Sequence, residues 1–329
     1  MVKFMKVIDE LYGEFILEDI FIDLLNTKEI KRLKGVHQGG AGYLINKSWN
    51  VNRYEHSLGV MLLVKKLGGQ KEEQIAALLH DISHTTFSHV IDYVFNNENE
   101  DIHELIYKYV IENSEISNIL NKDGYLYKEL LLDNREYSLL ERKAPHLCAD
   151  RIDYTLRDMY RHGNITSFEV DNFINSLRVK NGIIYINDID QAEWFVELYY
   201  KEVIDYFLNP LNVYINDIIK RILKYTIKNK IVRLEQLLTT DDEIMECFKE
   251  SNDSYVQSLL NEISNNKSLK SSFKDDYDIF HRNKLRIIDP LVQSEAGLLK
   301  ASKLSPKVHQ KNKEAKYRAE KGIYIKVKN

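Results

Sequence analysis

The chain has 329 residues, room for about two structural units of ~150 residues each, and its 44% apolar and 29% charged content is that of a globular protein. This composition excludes wholesale disorder, a collagen-like repeat and a low-complexity scaffold. A net charge of −4, from 46 basic against 50 acidic residues, excludes a dedicated nucleic-acid coat.

Residues 1–25 alternate apolar and acidic positions, which predicts short strands or turns around Tyr12-Gly13. Asn26 or Thr27 can cap a helix running to Lys34, where Gly35 ends it. His37-Gln38-Gly39-Gly40-Ala41-Gly42 is a glycine-rich loop without the Lys-Ser/Thr ending of a P-loop. Apolar periodicity then predicts helices over 53–67, 70–79, 87–95 and 102–112, with a polar loop over 96–101. Further helices are expected over 145–161, 167–177, 189–207 and 210–228, with shorter ones following to residue 263. A hairpin over 178–186 turns at Asn181-Gly182. The polar stretch 261–278 reads as a linker, and 285–288 and 322–327 as late strands. Between them, Lys300, Lys303, Lys307, Lys311, Lys313, Lys316 and Arg318 form a basic run, read as a solvated face that admits at most weak nucleic-acid contact. The expected architecture is mainly α, in three parts: 1–165, 166–265 and 266–329.

Cys148 and Cys247 are the only cysteines, too few for a disulfide framework or a cysteine zinc site. No apolar run approaches the ~18 residues of a membrane span, and Met1–Glu10 lacks the apolar stretch of a secretory leader. A cytoplasmic protein with no membrane contact is expected.

Four segments carry the chemistry: Asn52-Arg53-Tyr54-Glu55-His56-Ser57, His80-Asp81-Ile82-Ser83-His84, His103-Glu104 and Asp150-Arg151-Ile152-Asp153-Tyr154. A His-Asp dipeptide alone is weak, but this one ends an apolar helix, where two adjacent side chains can point past the last turn. His offers a neutral nitrogen and Asp an anionic oxygen. A two-His, two-Asp set suits Mn, Fe, Ni, Mg or a catalytic Zn, and leaves positions open for water and a phosphate oxygen. Asp150, Tyr154 and Asp158 recur every four residues and so form one stripe along a helix.

These segments resemble the HD-domain superfamily, in which His…His-Asp…Asp binds one metal, and most closely its deoxynucleoside triphosphate triphosphohydrolase branch. Arg53-Tyr54-Glu55-His56-Ser57-Leu58-Gly59 is similar to that branch's Arg-Phe-Glu-His-Ser-Leu-Gly signature. His80-Asp81-Ile82-Ser83-His84 with Phe87-Ser88-His89, and Asp150-Arg151-Ile152-Asp153-Tyr154 with Arg157-Asp158, resemble two more. The resemblance spans Val7 to about Pro290 and implies a helical HD core. It implies one divalent metal on His56, His80, Asp81 and Asp150. His84, Asp92 and His103 would form the acid–base group. Arg53, His89 and Arg151 would contact phosphates, Tyr154 and Asp158 the sugar, and Gln38 the base or sugar. It also implies a nucleotide substrate, a homo-oligomer, and room for a nucleotide effector. The implied reaction releases nucleoside and tripolyphosphate.

Two departures stand out. Gly39 follows Gln38 where deoxy-selective members carry Leu, and the stretch 199–220 lacks the branch's Leu-His-x-Arg-x-Tyr motif. Other readings therefore stay open. One is an HD phosphohydrolase acting on modified nucleotides, nucleoside monophosphates or single-strand nucleic-acid ends. The other is a non-catalytic nucleotide-sensing or nucleic-acid-binding module. Asp153 reads as a surface or helix-pairing acid, Arg157 as its i,i+4 partner, and His37 and His146 as structural.

Overall fold

The computed structural model describes residues 4–133, 136–264, 268–282 and 284–328. The chain opens with an antiparallel hairpin, β1 (Met5–Asp9) and β2 (Gly13–Leu17), with Met5 opposite Leu17. Two short helices follow, α1 (Asp19–Asn26) and α2 (Lys28–Arg32). The helical core comprises α3 (Arg53–Lys66), α4 (Lys71–Leu79), α5 (Val90–Val94), α6 (Ile102–Glu112), α7 (Ile116–Lys122) and α8 (Ala149–Arg161). Beyond it come α9 (Ser167–Ser176), the strands β3 (Leu177–Lys180) and β4 (Ile183–Ile186), then α10 (Ile189–Tyr200). A π-helical turn over Lys201–Tyr206 leads to α11 (Pro210–Lys228), α12 (Asp241–Glu250) and α13 (Ser254–Ser264). The C-terminal part holds β5 (Ser268–Ser271), β6 (Ile279–His281), β7 (Leu291–Ser294), β8 (Gly297–Lys300), α14 (Ala301–Leu304), α15 (Pro306–Lys321) and β9 (Ile323–Lys328).

The mainly α architecture expected from the sequence is the one that forms. Local chemistry sets its boundaries. At α3 the Asn52 side chain accepts from Glu55 N while Glu55 reaches back to the Asn52 N–H, a reciprocal cap. Thr166 with Glu169 and Thr240 with Glu243 repeat the device at α9 and α12. Pro210 opens α11 in its first turn, where no N–H is missed. Asn181 and Gly182 both take positive φ, 52° and 71°, so the β3–β4 hairpin turns as expected.

Some expectations need correction. The stretch 285–288 is irregular rather than a strand, because the late pairing is made by the β7–β8 hairpin and by β6. The expected linker over 261–278 instead completes α13 and supplies β5, with 265–267 outside the described residues. The helices α1 and α7 were not expected. Two sheets organise the C-terminal half: β3-β4-β7-β8, with β4 and β7 parallel, and β5-β9-β6. The basic run begins with Lys300 at the end of β8 and continues on α14 and α15, where Lys307 and Lys311 reach Glu197 on α10.

One core runs from Leu17 in the hairpin through α3, α4 and α8 to Ala315 in α15, and a second lies between α5, α11, α12 and α13. On α3 every residue from Val60 to Val64 is buried. Truncating one such core Leu to Ala costs about 2–5 kcal/mol. This packing clamps α3, the end of α4 and α8 together.

Candidate metal centre and active site

The last turn of α4 delivers His80 and Asp81, α3 delivers His56, and α8 delivers Asp150. The His80 ring donates from Nδ1 to the Ala77 carbonyl at 2.7 Å, which leaves Nε2 as the lone-pair nitrogen. That Nε2 is buried with no hydrogen-bond partner among the described residues, 3.5 Å from Asp81 Oδ1 and 3.6 Å from Asp150 Oδ1. His56 donates from Nδ1 to Asp153 Oδ2 at 2.8 Å, and its Nε2 lies 3.1 Å from Asp150 Oδ1 and 3.7 Å from Asp81 Oδ2. Ligand atoms of His56, His80 and Asp81 all lie within 4.8 Å of one another.

Two oriented imidazole nitrogens, one of them the orphaned Nε2 of His80, and two carboxylates fit a divalent cation. The electrostatics agree. Burial opposes charge on Asp81, but Arg53, His80 and His84 outweigh it and hold its carboxyl well below the usual range. Desolvation likewise opposes charge on Asp150, and His56 and His80 hold it down. Burial would neutralise His56, yet Asp150, Asp153 and Asp81 push it up to about 10.

Beside this quartet, Arg53 is buried, donates from Nε to Ser88 Oγ at 2.9 Å, and makes a short contact to Asp81. Three further imidazoles stand next to Asp81. His84 Nε2 lies 3.2 Å from Asp81 Oδ1, and its ring stacks on His103 with centroids 3.9 Å apart. His89 stands edge-on to both, at 4.9 and 5.5 Å. His89 Nδ1 lies 3.0 Å from Asp92 Oδ2, while Asp92 Oδ1 accepts from Asn97 Nδ2 at 3.0 Å and Ile102 N at 3.1 Å. The sequence reading grouped Asp92 with His84 and His103; the structure brings all three near one another but pairs Asp92 directly with His89. Burial, with Arg53 and His103, keeps His84 neutral, and burial, with His89 and Arg53, pushes His103 down to about 3.

Nitrogens of His84, His89 and His103 also lie within 4.8 Å of one another. This group differs from the first: its nearest carboxylates are already engaged, Asp92 by Asn97 and Ile102 N and Asp81 by Arg53, and a fixed guanidinium stands beside it. It suits an anionic oxygen better than a second cation.

The turn carrying His89 is strained, with Phe87 and Ser88 at φ 56° and 50°. Asp241, at the start of α12, secures it: Oδ1 accepts from Phe87 N at 2.6 Å, and Oδ2 accepts from His37 N at 2.9 Å. His37 thus has the structural place expected for it.

Along α8 the stripe forms as the spacing requires. Tyr154 donates to the Tyr199 hydroxyl at 3.2 Å, and its ring lies 6.4 Å from that of His56. Asp158 is buried against Glu202, which is 2% exposed. Burial pushes Asp158 up to about 7 and, with Asp158 beside it, Glu202 well above the carboxylate range. Arg151 turns one nitrogen toward the carbonyls of Arg142 and His146, the latter at 3.2 Å, and so braces the loop before α8. Gln38 has its side-chain oxygen buried without a partner, and with His89 and Asp92 it lines a cavity of about 650 Å³. The far wall of that cavity includes Phe280, Arg282 and Arg286 of the C-terminal part; the four metal-centre residues do not line it.

The sequence does not mark Glu202 or Asp241; Asp153 is the helix-pairing acid with Arg157 as its i,i+4 partner, not a surface one. Asp153 is fully buried, holding Arg157 and His56 together. Helical phase could have found it, since Asp153 shares a face with Ala149, Ile152 and Leu156. Nothing local marks Glu202 or Asp241, which reach the site from distant segments.

Comparison with known proteins agrees with this geometry. A family model described as HD domain matches residues 53–157. The chain is 48% identical over 325 residues to the uncharacterized protein YdhJ of Bacillus subtilis, covering 98% of this chain and 99% of that one. The chain belongs to the HD-domain superfamily. It is also 33% identical over 213 residues to the metal-dependent phosphohydrolase cns2 of Cordyceps militaris, covering 62% of this chain and 61% of that one. To the deoxynucleoside triphosphate triphosphohydrolase SAMHD1 of Homo sapiens it is 27% identical over 226 residues, covering 53% of this chain and 36% of that one. Among the described residues, no helix is long and apolar enough to cross a membrane.

Proposed function

We propose that this HD-domain protein is a metal-dependent phosphohydrolase that cleaves nucleoside or deoxynucleoside triphosphates to nucleoside and tripolyphosphate. The observation that carries the reading is the cluster of His56, His80 and Asp81 ligand atoms within 4.8 Å of one another, with Asp150 Oδ1 3.1 Å from His56 Nε2 and 3.6 Å from His80 Nε2, and with Arg53 and His84 beside Asp81. The similarity to a deoxynucleoside triphosphate triphosphohydrolase over 53% of the chain supports it.

His56, His80, Asp81 and Asp150 would hold the cation. When bound, it supplies Lewis acidity and lowers the pKa of a coordinated water. Arg53, fixed by Ser88 and Asp81, presents a guanidinium suited to phosphate oxygens. His84 and His103, kept neutral, donate N–H bonds to the reacting phosphate rather than protons. His89 is the proton-transfer group, because Asp92 Oδ2, 3.0 Å from its Nδ1, orients the ring. Asp92 therefore acts through His89. Arg151 borders the phosphates while bracing its loop. Tyr154 and Asp158 take the sugar, and the unpartnered oxygen of Gln38 meets the sugar or base. A homo-oligomeric state and a cytoplasmic location belong to the same proposal.

The test is a product assay. Protein loaded with Mn²⁺ is given the common dNTPs and NTPs and, in separate arms, nucleoside monophosphates, with Asp81→Ala as control. Nucleoside with tripolyphosphate, absent from the control, is the expected result. Phosphate released from monophosphates alone would replace the triphosphate reading with a phosphomonoesterase one.

A further inference from the structure

The N-terminal hairpin, which none of the site motifs includes, reaches the metal centre through a continuous buried chain of charges. We infer that Asp9 and Arg157 are positioning residues for the metal ligand His56, so that docking of the β1–β2 hairpin sets the affinity of the centre for its cation. The inference rests on the metal reading of the site given above.

The chain of contacts has four links. Asp153 Oδ2 accepts from His56 Nδ1 at 2.8 Å, which reserves the opposite nitrogen for the cation. Arg157 grips that carboxylate with two parallel bonds, Nε to Oδ2 at 3.0 Å and a terminal nitrogen to Oδ1 at 2.8 Å. The same terminal nitrogen lies 3.1 Å from Asp9 Oδ2. Asp9 in turn is fixed by its own turn, with Oδ1 accepting from Leu11 N at 2.9 Å and Tyr12 N at 3.0 Å. The Tyr12 ring lies under the guanidinium, 5.7 Å from its carbon.

Every member is buried: Asp9 8%, His56 1%, Asp153 0% and Arg157 1% exposed. Such a network is a poor way to gain stability, since well-packed apolar side chains do as well or better. What it supplies is direction. A bidentate guanidinium allows one orientation of the Asp153 carboxylate, which allows one tilt of the His56 ring. The backbone is arranged for it. Gly59 sits one turn after His56, and a Cβ there would lie 2.0 Å from an Arg157 nitrogen and 2.2 Å from Asp153 Oδ1. The glycine makes room for the pair.

The experiment measures Mn²⁺ binding by titration calorimetry, without substrate. The variants are Asp9→Asn, which keeps an acceptor for Leu11 and Tyr12, Arg157→Lys, which keeps the charge but loses the fork, and their double. Lys6→Ala, which breaks only the exposed Lys6–Glu14 pair of the same hairpin, is the control. Near-UV circular dichroism in EDTA confirms that each variant is folded, and Gly59→Ala perturbs the same link from the other side should one fail. The expected result is a loss of Mn²⁺ affinity in Asp9→Asn and Arg157→Lys of about 10-fold or more, the scale of outer-shell partners. The double variant should lose less than the product of the singles, because both act through one path. Folded variants with wild-type Mn²⁺ affinity would overturn the inference. A wild-type protein that binds no Mn²⁺ would overturn the metal reading itself.

Discussion

The two ends of the α8 stripe carry the same residue type with carboxyl pKa values shifted in opposite directions. At the first turn, burial opposes charge on Asp150, but the His56 and His80 imidazoles outweigh it and hold the carboxyl down. Two turns later, Asp158 is sealed from water beside Glu202, and burial pushes it up to about 7. Sequence and helix are shared; the surroundings brought from elsewhere decide. The Asp150 end favours negative charge that a cation can neutralise. The Asp158 end favours the neutral carboxyl, which can donate as well as accept.

The most severe way to break this comparison is to remove the charge at the metal end. Asp81→Ala should lose bound metal and reduce turnover at least about a thousand-fold, read by metal analysis beside the product assay. EDTA should do the same to the wild type, with Mn²⁺ restoring it. Asp81→Ala retaining full metal would show that the quartet is not the binding site.

Next in size is Asp92→Asn. It leaves the quartet untouched and weakens the hold on His89. Turnover should fall by about 10²–10⁴ with Mn²⁺ content unchanged. A change in metal content instead would mean that the three imidazoles carry metal after all.

How far the sequence discloses this site follows the same division. The quartet was legible because its ligands lie in local motifs: a His-Asp pair at a helix end, a capped helix start, an Asp opening a helix. The stripe was legible because a helix repeats every 3.6 residues. What was not legible depends on long-range packing. Asp153 carries the same letters whether it faces water or His56, and Glu202 meets Asp158 only because a π-helical turn brings Lys201–Tyr206 against α8. The fold divides similarly. Apolar periodicity announced the helices, and Asn-Gly one hairpin. The strand expected at 285–288 failed because a short apolar run does not show whether an edge is available to pair with it.

The smallest effect is the most discriminating, because it separates the two ends by the sign of a pH slope. Asp158 has a folded pKa raised from 3.8 to about 7, so between those values the folded protein holds more protons than the unfolded chain. Stability from this group is therefore lost as pH rises through that window. His103 behaves oppositely. Its folded pKa is lowered from 6.5 to about 3, so the unfolded chain holds more protons there and stability rises with pH. The two slopes, each at most about 1.4 kcal/mol per pH unit, partly cancel in the wild type. Glu202→Gln removes the carboxyl that faces Asp158. In EDTA, between pH 4.5 and 6.5, its melting temperature should climb more steeply with pH than that of the wild type. His103→Gln should climb less steeply. If Glu202→Gln and wild type run parallel, the Asp158 end holds no shared proton, and its task on a sugar must be that of an ordinary charged acceptor.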